Sequence, residues 1–375
     1  MNERVVTPRN RGFLFLDSHP EGCRRSAADM WHACPAPADP AGTPEGPGPV
    51  ALIVGSSAGY GLAATLAGLK RAGIRGIAVS FEKAPTERRT ATAGWYRTAA
   101  TADIARAAGR DLVFLNGDAF SDAMKNQGAD LIERRFGGRL DHLVYSIAAP
   151  RRTDPDTGTT YASVLRPIGR AHRTKTLVFD EQGVPEVREV ETVPAEADDA
   201  ALSYIRSPLT AAIYRQGTIG VAKAHLEATA RTLDERLGKT VGGRAVTCVN
   251  GAAVTQSSTA VPGIALYTGL LRGVLGQDML PPVRQLAALW DELTGRAPLA
   301  PDDEDRIRLD AWELADDVQA AVADRWQAAT TDTISGLADL DWFQAEVRRL
   351  YGFSVPGVDY AAPVAADVPW PGHTP

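Results

Sequence analysis

Apolar residues in the first half of the chain recur in short runs, with longer amphipathic stretches between them. The amphipathic stretches cover residues 62–72, 98–108 and 121–136, where the apolar spacing is that of a helix. The apolar runs are typical of buried strands: VALIV, IRGIAVSF, DLVFLN and LDHLVYSI, beginning at Val50, Ile74, Asp111 and Leu140. This alternation predicts an α/β fold in which crossover helices cover both faces of a parallel sheet.

The segments on either side of this alternation have a different pattern. Residues 1–49 combine a short helical stretch with a proline-rich loop, and they are too few to bury a core of their own. We therefore predict that they form an N-terminal extension packed on the sheet. Residues 150–200 are polar and turn-rich, which predicts a β-hairpin excursion and an irregular loop beside the sheet.

The second half continues with a strand predicted within residues 244–255 and several helices beyond Gly263. The tail from Ala361 is rich in proline and alanine and is predicted to be extended or loosely ordered. We expect residues 1–375 to form a single Rossmann-type domain, with a doubly wound parallel sheet, the added N-terminal segment, the hairpin excursion and C-terminal helices.

Composition narrows the function classes. The net charge of −6 and the lack of long Lys/Arg blocks argue against a nucleic-acid surface. No signal peptide is evident, and no apolar run approaches the ~18 residues needed to cross a bilayer. Three scattered cysteines suit a reducing compartment, and the histidines show no metal-ligand spacing. The expectation is a cytoplasmic enzyme without a metal or membrane insertion.

The first strand leads directly into a glycine-rich turn, GSSAGYG, which comprises Gly55, Ser56, Ser57, Ala58, Gly59, Tyr60 and Gly61. Gly55 allows a sharp turn off the strand, Gly59 leaves room for a pyrophosphate, and Gly61 lets the helix approach the strand. The amides and dipole at the helix start favour a phosphate. The strand and helix context predicts a dinucleotide site, although a tight turn without a ligand stays possible.

Polar residues follow the next strands at the edge where such sheets bind ligands. Glu82 lies 21 residues after Gly61, where a carboxylate can accept hydrogen bonds from both ribose hydroxyls and repel a 2′-phosphate. This favours NAD(H) over NADP(H), the alternative being a solvated charge at a strand end. Asp118 can accept a hydrogen bond from the adenine amino group, and the small residues after Ser146 leave space near a nicotinamide ribose.

A reductase on this scaffold needs a proton donor beside the hydride acceptor. Tyr214 and Lys223 are nine residues apart, a spacing that would misalign them on one helix. We predict that the helix starts near Thr218 and leaves Tyr214 on the preceding loop. The lysine would lower the pKa of the phenol and hold the ribose. Tyr204 is a second phenol for the same pocket, and a surface position for Tyr214 is the alternative.

The chain resembles the trans-2-enoyl-ACP/CoA reductases of the FabV type, which are relatives of the short-chain dehydrogenases. The resemblance extends nearly end to end through RGFLFLDSHPEGC, GSSAGYGLA, FEKA, TAGWY, NGDAFSD, YSIAAPRRTDPDTG, IYRQGTIGVAK, AVTQSS, LYTGLL and GFSVPGVDY. It implies reduction of the C2=C3 bond of an enoyl thioester with NADH, with hydride to C3. It also implies a thioester on CoA or an acyl carrier protein as substrate, and it favours a monomer.

The resemblance also implies roles for individual positions. Tyr214 would donate the proton, Lys223 would bind the cofactor, and Tyr204 would face the substrate. Further cofactor contacts would come from residues 55–60 and from eight positions after strands, namely Phe81, Glu82, Asp118, Ala119, Ile147, Ala148, Ala253 and Val254, together with Thr255.

Three departures from the family affect the substrate side. The segment before Tyr204 lacks roughly 30 residues that form a flanking lid segment in the family. Ala224 and Gly251 stand where the family usually has lysines. The carrier, the acyl length and the pathway stay open. One alternative is a repurposed enzyme that acts on a different enoyl or carbonyl acceptor. The other is a non-reductive protein, against which the intact glycine turn argues.

Overall fold

The fold was obtained as a computed structural model, which describes residues 3–37, 47–147, 149–163, 166–180, 183–192, 207–256, 261 and 263–372. The side chains of Arg11, Pro208, Ile213 and Tyr214 are outside this description.

A four-stranded parallel sheet forms the centre, as predicted. Its strands, in chain order, are β4 (Val50–Val54), β5 (Arg75–Ser80), β6 (Leu112–Asn116) and β7 (His142–Tyr145). They lie in the order β6-β5-β4-β7, so β4 has β5 on one side and β7 on the other. Val54 at the end of β4 pairs with both Val79 and Tyr145. The strand order reverses at β4, and ligands of open α/β sheets bind at such a point.

Three helices connect these strands. They are α2 (Gly59–Ala67), which continues as a π-helical turn over Gly68–Ala72, α3 (Ala93–Ala107) and α4 (Asp122–Phe136). Ser121 caps α4 by accepting a hydrogen bond from the Met124 amide at 3.3 Å. Helix α3 starts five residues earlier than the sequence predicts, because residues 93–97 are buried against the rest of the chain.

The N-terminal extension and the C-terminal tail pack together on this core. The extension contains β1 (Glu3–Arg4), β2 (Asn10–Arg11), β3 (Leu14–Phe15) and α1 (Pro20–Ala33). Strand β1 pairs with β14 (Val364–Ala365) of the tail. Trp370 is 7% exposed and donates its indole N–H to the Phe114 carbonyl at 3.1 Å. The tail is therefore extended, and through residue 372 it is bound instead of loosely ordered.

The excursion after β7 contains two hairpins where the sequence predicts one. Their strands are β8 (Arg151–Thr153), β9 (Thr160–Ala162), β10 (His172–Phe179) and β11 (Pro185–Thr192). Leu177 of β10 is 1% exposed and belongs to an apolar cluster with Leu266 and Phe343. Lys175 donates to the carbonyls of Trp326, Gln327 and Ala329, each at 2.9 Å, where a helix of the second half ends.

The remaining elements complete the fold. They are α5 (Ala211–Tyr214), α6 (Thr218–Val241), β12 (Thr247–Asn250), α7 (Ile264–Leu275), α8 (Pro282–Leu293), β13 (Arg306–Leu309), α9 (Asp316–Ala328), α10 (Ile334–Leu337) and α11 (Leu340–Arg349). Strands β12 and β13 form a second parallel pair. Helix α8 packs on α2 through Trp290, which is fully buried and donates to the Ala64 carbonyl at 2.8 Å. None of the described helices is both long and apolar enough to cross a membrane.

Candidate active site

The glycine turn has the geometry that its sequence predicts. Gly55 adopts φ +92°, and a Cβ on Gly61 would lie 1.9 Å from the Gly55 carbonyl oxygen. Both positions therefore require glycine, because α2 starts directly against the end of β4. Ala58 precedes α2 without a capping side chain, which leaves the helix N-terminus available to a phosphate.

Gly59 differs from the other two glycines because space lies in front of it. Among the described residues, only the Cγ2 methyl of Thr255 lies within 4 Å of a Cβ built at Gly59, at 3.7 Å. The glycine turn and the segment 253–255, which the resemblance assigns to the pyrophosphate and the nicotinamide of one cofactor, thus lie close to each other. Open space beside an uncapped helix start is the arrangement that a pyrophosphate requires.

Three hydrogen bonds hold the backbone at residues 251 and 252. The Gly251 amide donates to the Gln285 side-chain oxygen at 2.8 Å. The Gly251 carbonyl accepts a hydrogen bond from the Tyr60 hydroxyl, and the Ala252 amide donates to Glu313. Because Tyr60 belongs to the glycine turn, this contact ties the turn directly to the segment that follows β12.

Trp312 explains why residue 251 is glycine in this chain. A Cβ on Gly251 would lie 2.4 Å from Cζ2 of the Trp312 ring. The indole is itself fixed by its N–H, which donates to the Leu309 carbonyl at 2.9 Å. The ring therefore occupies the space into which a side chain at position 251 would extend.

Glu82 is held by the surrounding structure. Its Oε1 accepts a hydrogen bond from the Ser57 hydroxyl at 2.6 Å, and its Oε2 accepts one from the Thr92 hydroxyl. A Cβ on Gly94 would lie 2.0 Å from Oε1, so the carboxylate sits over the first turn of α3, where the helix dipole favours negative charge. The carboxylate is half-buried and retains lone pairs for a ribose hydroxyl.

The other predicted adenosine contacts lie at the same edge of the sheet. Phe81 follows β5 and is 75% exposed, which leaves its ring free to contact a planar ligand. Asp118 uses Oδ1 to accept from the Phe120 amide at 2.9 Å, so it stabilises the turn into α4. Ala119 is half-buried against the core, and Ile147 follows β7 beside β4. Ala148 and Tyr204 lie outside the described residues.

Tyr214 ends the one-turn helix α5, where the sequence predicts a loop, and α6 begins at Thr218 as predicted. A Cβ on Gly220 would lie 2.0 Å from the Arg215 carbonyl oxygen, so the first turn of α6 packs directly on the residue after Tyr214. Lys223 lies on the next turn and is 1% exposed. The sequence thus brings the two predicted catalytic positions into one compact turn-helix unit.

Ion pairs of Arg215 join the two parts of this unit and link it to the segment before β13. The Arg215 guanidinium contacts Glu227 and Glu304, each at 3.2 Å. Glu304 also pairs with Arg306 at 3.0 Å, and Arg306 is bound by Asp302. Burial favours a higher pKa for Asp302, but hydrogen bonds from the Arg306 side chain and from the amides of Arg306 and Glu304, with the arginine charge, lower its pKa to about 2.

The residues that sequence reasoning missed are those that fix the backbone of the site. Gln285, Trp312 and Glu313 contact residues 251 and 252 from 34 to 61 positions away. Thr92 was missed as a partner of Glu82, although a threonine directly before a helix is a recognisable N-terminal signal. The other three have no local signature.

Comparisons with known proteins agree along the whole chain. Residues 89–201 and 184–294 match the family model of the trans-2-enoyl-CoA reductase catalytic region. Residues 5–87 match the NAD(P)H binding domain of trans-2-enoyl-CoA reductase, and residues 301–364 match the enoyl reductase FAD binding domain. The last region has no glycine-rich turn between its strand and helix: β13 is followed by the turn that carries Trp312 and Glu313. These residues do not fit a second dinucleotide site.

Related proteins cover the full length of the chain. The enoyl-[acyl-carrier-protein] reductase [NADH] of Streptomyces avermitilis is 53% identical over 98% of this chain and 100% of its own length. That of Flavobacterium johnsoniae is 37% identical over 96% and 97%. The Treponema denticola trans-2-enoyl-CoA reductase, solved with NAD, matches with a TM-score of 0.84 at 33% identity, covering 96% of this chain and 98% of the other.

The alignment with the Streptomyces protein includes positions without a counterpart in this chain, because it runs over 398 positions and this chain has 375 residues. The catalytic-region match breaks and overlaps at residues 184–201, directly before Tyr204. With family models and relatives covering its length, this chain belongs to the trans-2-enoyl-CoA reductase family.

Proposed function

We propose that this chain uses NADH to reduce the C2=C3 double bond of a trans-2-enoyl thioester to the saturated acyl thioester. Family membership over the full length carries the proposal, since its relatives include an enoyl-[acyl-carrier-protein] reductase [NADH] at 53% identity. The intact glycine turn and its contact with residues 251–255 support a nucleotide cofactor.

The residues present fit NAD(H). The uncapped start of α2 and the open space before Gly59 would hold the pyrophosphate. Glu82 would accept hydrogen bonds from the adenosine ribose and disfavour a 2′-phosphate, while Phe81 would contact the adenosine. Asp118, Ala119, Ile147 and Ala148 would line the adenine and nicotinamide-ribose positions, with Ala253, Val254 and Thr255 closing over the nicotinamide. When bound, NADH supplies a hydride, which adds to C3 of the substrate.

The residues of this chain would manage the charge and the proton. As hydride reaches C3, negative charge develops on the thioester oxygen, where a phenol hydrogen bond stabilises it. Tyr214 would supply the proton that ends at C2, and Tyr204 would face the thioester. Lys223, which is 1% exposed, would favour the ionised phenol after proton transfer and bind the ribose.

We further propose that the acyl group arrives on an acyl carrier protein. The Streptomyces relative supports this by its name, and exposed arginines on the excursion supply positive charge: Arg151, Arg152, Arg166 and Arg170. Arg166 lies against the start of α6, because its amide donates to the Thr218 hydroxyl at 3.2 Å. These side chains offer a partner for a phosphopantetheine phosphate or an acidic carrier surface.

The test follows NADH oxidation at 340 nm with crotonyl-CoA, a longer enoyl-CoA and an enoyl acyl carrier protein. Tyr214→Phe should lower turnover by about 100-fold or more while NADH binding persists, because only the proton donor is lost. Tyr161→Phe is the matched control, since this tyrosine is 59% exposed on β9. Full activity of Tyr214→Phe would reject its assignment. Inert thioesters beside active ketones would identify a different acceptor.

A further inference from the structure

A chain of hydrogen-bonded side chains, buried except for the half-buried Gln319, connects two segments that lie on separate parts of the backbone. We call it the inter-segment network; its members are Glu313, Tyr267, Gln319 and Ser207, which lie after β13, on α7, on α9 and before α5. Glu313 and Tyr267 are 1% and 0% exposed, and Ser207 is 0% exposed. Polar groups this deep are retained at a cost unless they are satisfied by hydrogen bonds, and these are.

One end of the network holds the segment assigned to the nicotinamide. The Ala252 amide donates to Glu313, and the Tyr267 hydroxyl donates to Glu313 Oε1 at 2.8 Å. Since Ala252 directly precedes residues 253–255, the position of Glu313 sets where that segment begins. Gln285 and Tyr60 hold the preceding residue, Gly251, by separate hydrogen bonds.

The other end holds the turn that leads to Tyr214. The Gln319 amide nitrogen donates to the Tyr267 hydroxyl at 3.0 Å and to the Glu313 carbonyl at 2.8 Å. Its oxygen accepts from the Ser207 hydroxyl at 2.5 Å. The Ser207 carbonyl accepts from the Thr210 amide at 3.0 Å, directly before α5. Ser207 thus fixes the first turn of the segment that ends at Tyr214.

We propose that the inter-segment network sets the spacing between residues 252–255 and Tyr214, and is thereby a positioning element for the reaction. The inference rests on the proposed function, in which one segment contacts the nicotinamide and the other carries the proton donor. Tyr267 is the central member, because its hydroxyl joins Glu313 to Gln319 within the packed pair of helices α7 and α9. Displacement of a reacting group by about 1 Å can cost about 100-fold in rate.

Tyr267→Phe removes only the joining hydroxyl. Tyr96→Phe is the matched control, since Tyr96 is 2% exposed and its hydroxyl accepts a hydrogen bond from the Ala91 amide at 2.9 Å and donates one to the Ala366 carbonyl at 2.7 Å, where it joins the start of α3 to the C-terminal tail. Single-turnover NADH oxidation is measured for both, with the NADH dissociation constant. We expect Tyr267→Phe to slow the turnover by about ten-fold or more, with little change in NADH affinity, and Tyr96→Phe to leave the rate unchanged.

A double-mutant cycle separates positioning from a general structural role. If Tyr267 acts through Tyr214, then Tyr267→Phe should change the rate by less than about two-fold in a Tyr214→Phe background. Equal slowing in both backgrounds, or slowing no greater than in Tyr96→Phe, overturns the inference alone. Full activity of Tyr214→Phe overturns the proton-donor assignment and the inference with it. If Tyr267→Phe does not fold, Ser207→Ala severs the other end and carries the same expectations.

Discussion

Two parts of the chain supply the candidate site, and their backbones are fixed by different kinds of contact. The sheet half, residues 50–147, consists of four strands that pair with one another and of the helices that connect them. The loop half, residues 207–256, contains the one-turn helix α5, the long helix α6, the short strand β12 and a last segment without regular structure. Side chains from α8 and from the turn after β13 hold its last segment in place.

Because of this difference, the two halves should respond differently to substitutions. Steric fit between backbone atoms positions the glycine turn, so the addition of one carbon there is severe. Hydrogen bonds and ion pairs from distant side chains position the loop half, so single polar substitutions far along the sequence should affect catalysis more than folding. The sheet half should lose stability and cofactor binding together, whereas the loop half should lose turnover first.

The largest expected effect is in the sheet half. Gly61→Ala places a methyl 1.9 Å from the Gly55 carbonyl oxygen, so α2 must move away from β4. We expect a loss of about 3 kcal/mol or more in unfolding free energy and at least a ten-fold loss in NADH affinity, measured by urea unfolding and fluorescence titration. Gly128→Ala on α4 is the control, because its added methyl meets no atom of the described residues within 4 Å. Equal behaviour of the two variants would contradict the steric argument.

In the loop half, Lys223→Met should separate turnover from stability. The ammonium is buried, and methionine retains most of the side-chain length without a charge. We expect turnover to fall by about 100-fold and NADH affinity to weaken, with the thermal midpoint retained. Lys175→Met should do the reverse, because Lys175 binds three carbonyls at the end of α9. Unchanged turnover in Lys223→Met would refute its proposed role.

A smaller effect tests the selectivity of the cofactor site. Glu82→Gln keeps an oxygen for Ser57, and its amide can donate to Thr92, so α3 should stay in place. Loss of the charge should weaken NADH and relieve the repulsion of a 2′-phosphate. The ratio of kcat/KM for NADH to that for NADPH should fall by about ten-fold, equal to ~1.4 kcal/mol. A constant ratio would mean that Glu82 only anchors α3.

How much the sequence predicts also differs between the halves. Local rules predict the bounds of β4, the need for glycine at positions 55 and 61, and the start of α6, since each depends on residues adjacent in the chain. They do not predict the hydrogen bonds that hold residues 251–252, because nothing in the local sequence of Gln285 or Glu313 shows that the fold brings them to this place. The physical reason for glycine at position 251 likewise becomes visible only in the position of Trp312.

The smallest effect concerns the ion pairs behind α5. Asp302 has a pKa of about 2, and its side chain is 22% exposed. A carboxyl with a lowered pKa stabilises the fold above its unfolded value of 3.8 and loses that contribution as the pH falls toward 2. Asp302→Asn should therefore lower the unfolding free energy by at most about 2 kcal/mol at pH 6, and the difference from wild type should shrink below pH ~4.

Urea unfolding at pH 6 and pH 3 measures this difference, with Asp324→Asn as the control because Asp324 is an exposed carboxylate on α9. Turnover should fall by less than about three-fold, since Asp302 reaches the catalytic turn only through Arg306, Glu304 and then Arg215, and its link is partly exposed to solvent. If the difference in unfolding free energy between Asp302→Asn and wild type stays constant from pH 6 to pH 3, then Asp302 contributes through its shape and hydrogen bonds and not through its charge. A turnover loss as large as that of Lys223→Met would instead place the ion pairs among the groups that hold the reacting atoms, and the loop half would then depend on its surface as much as on its buried network.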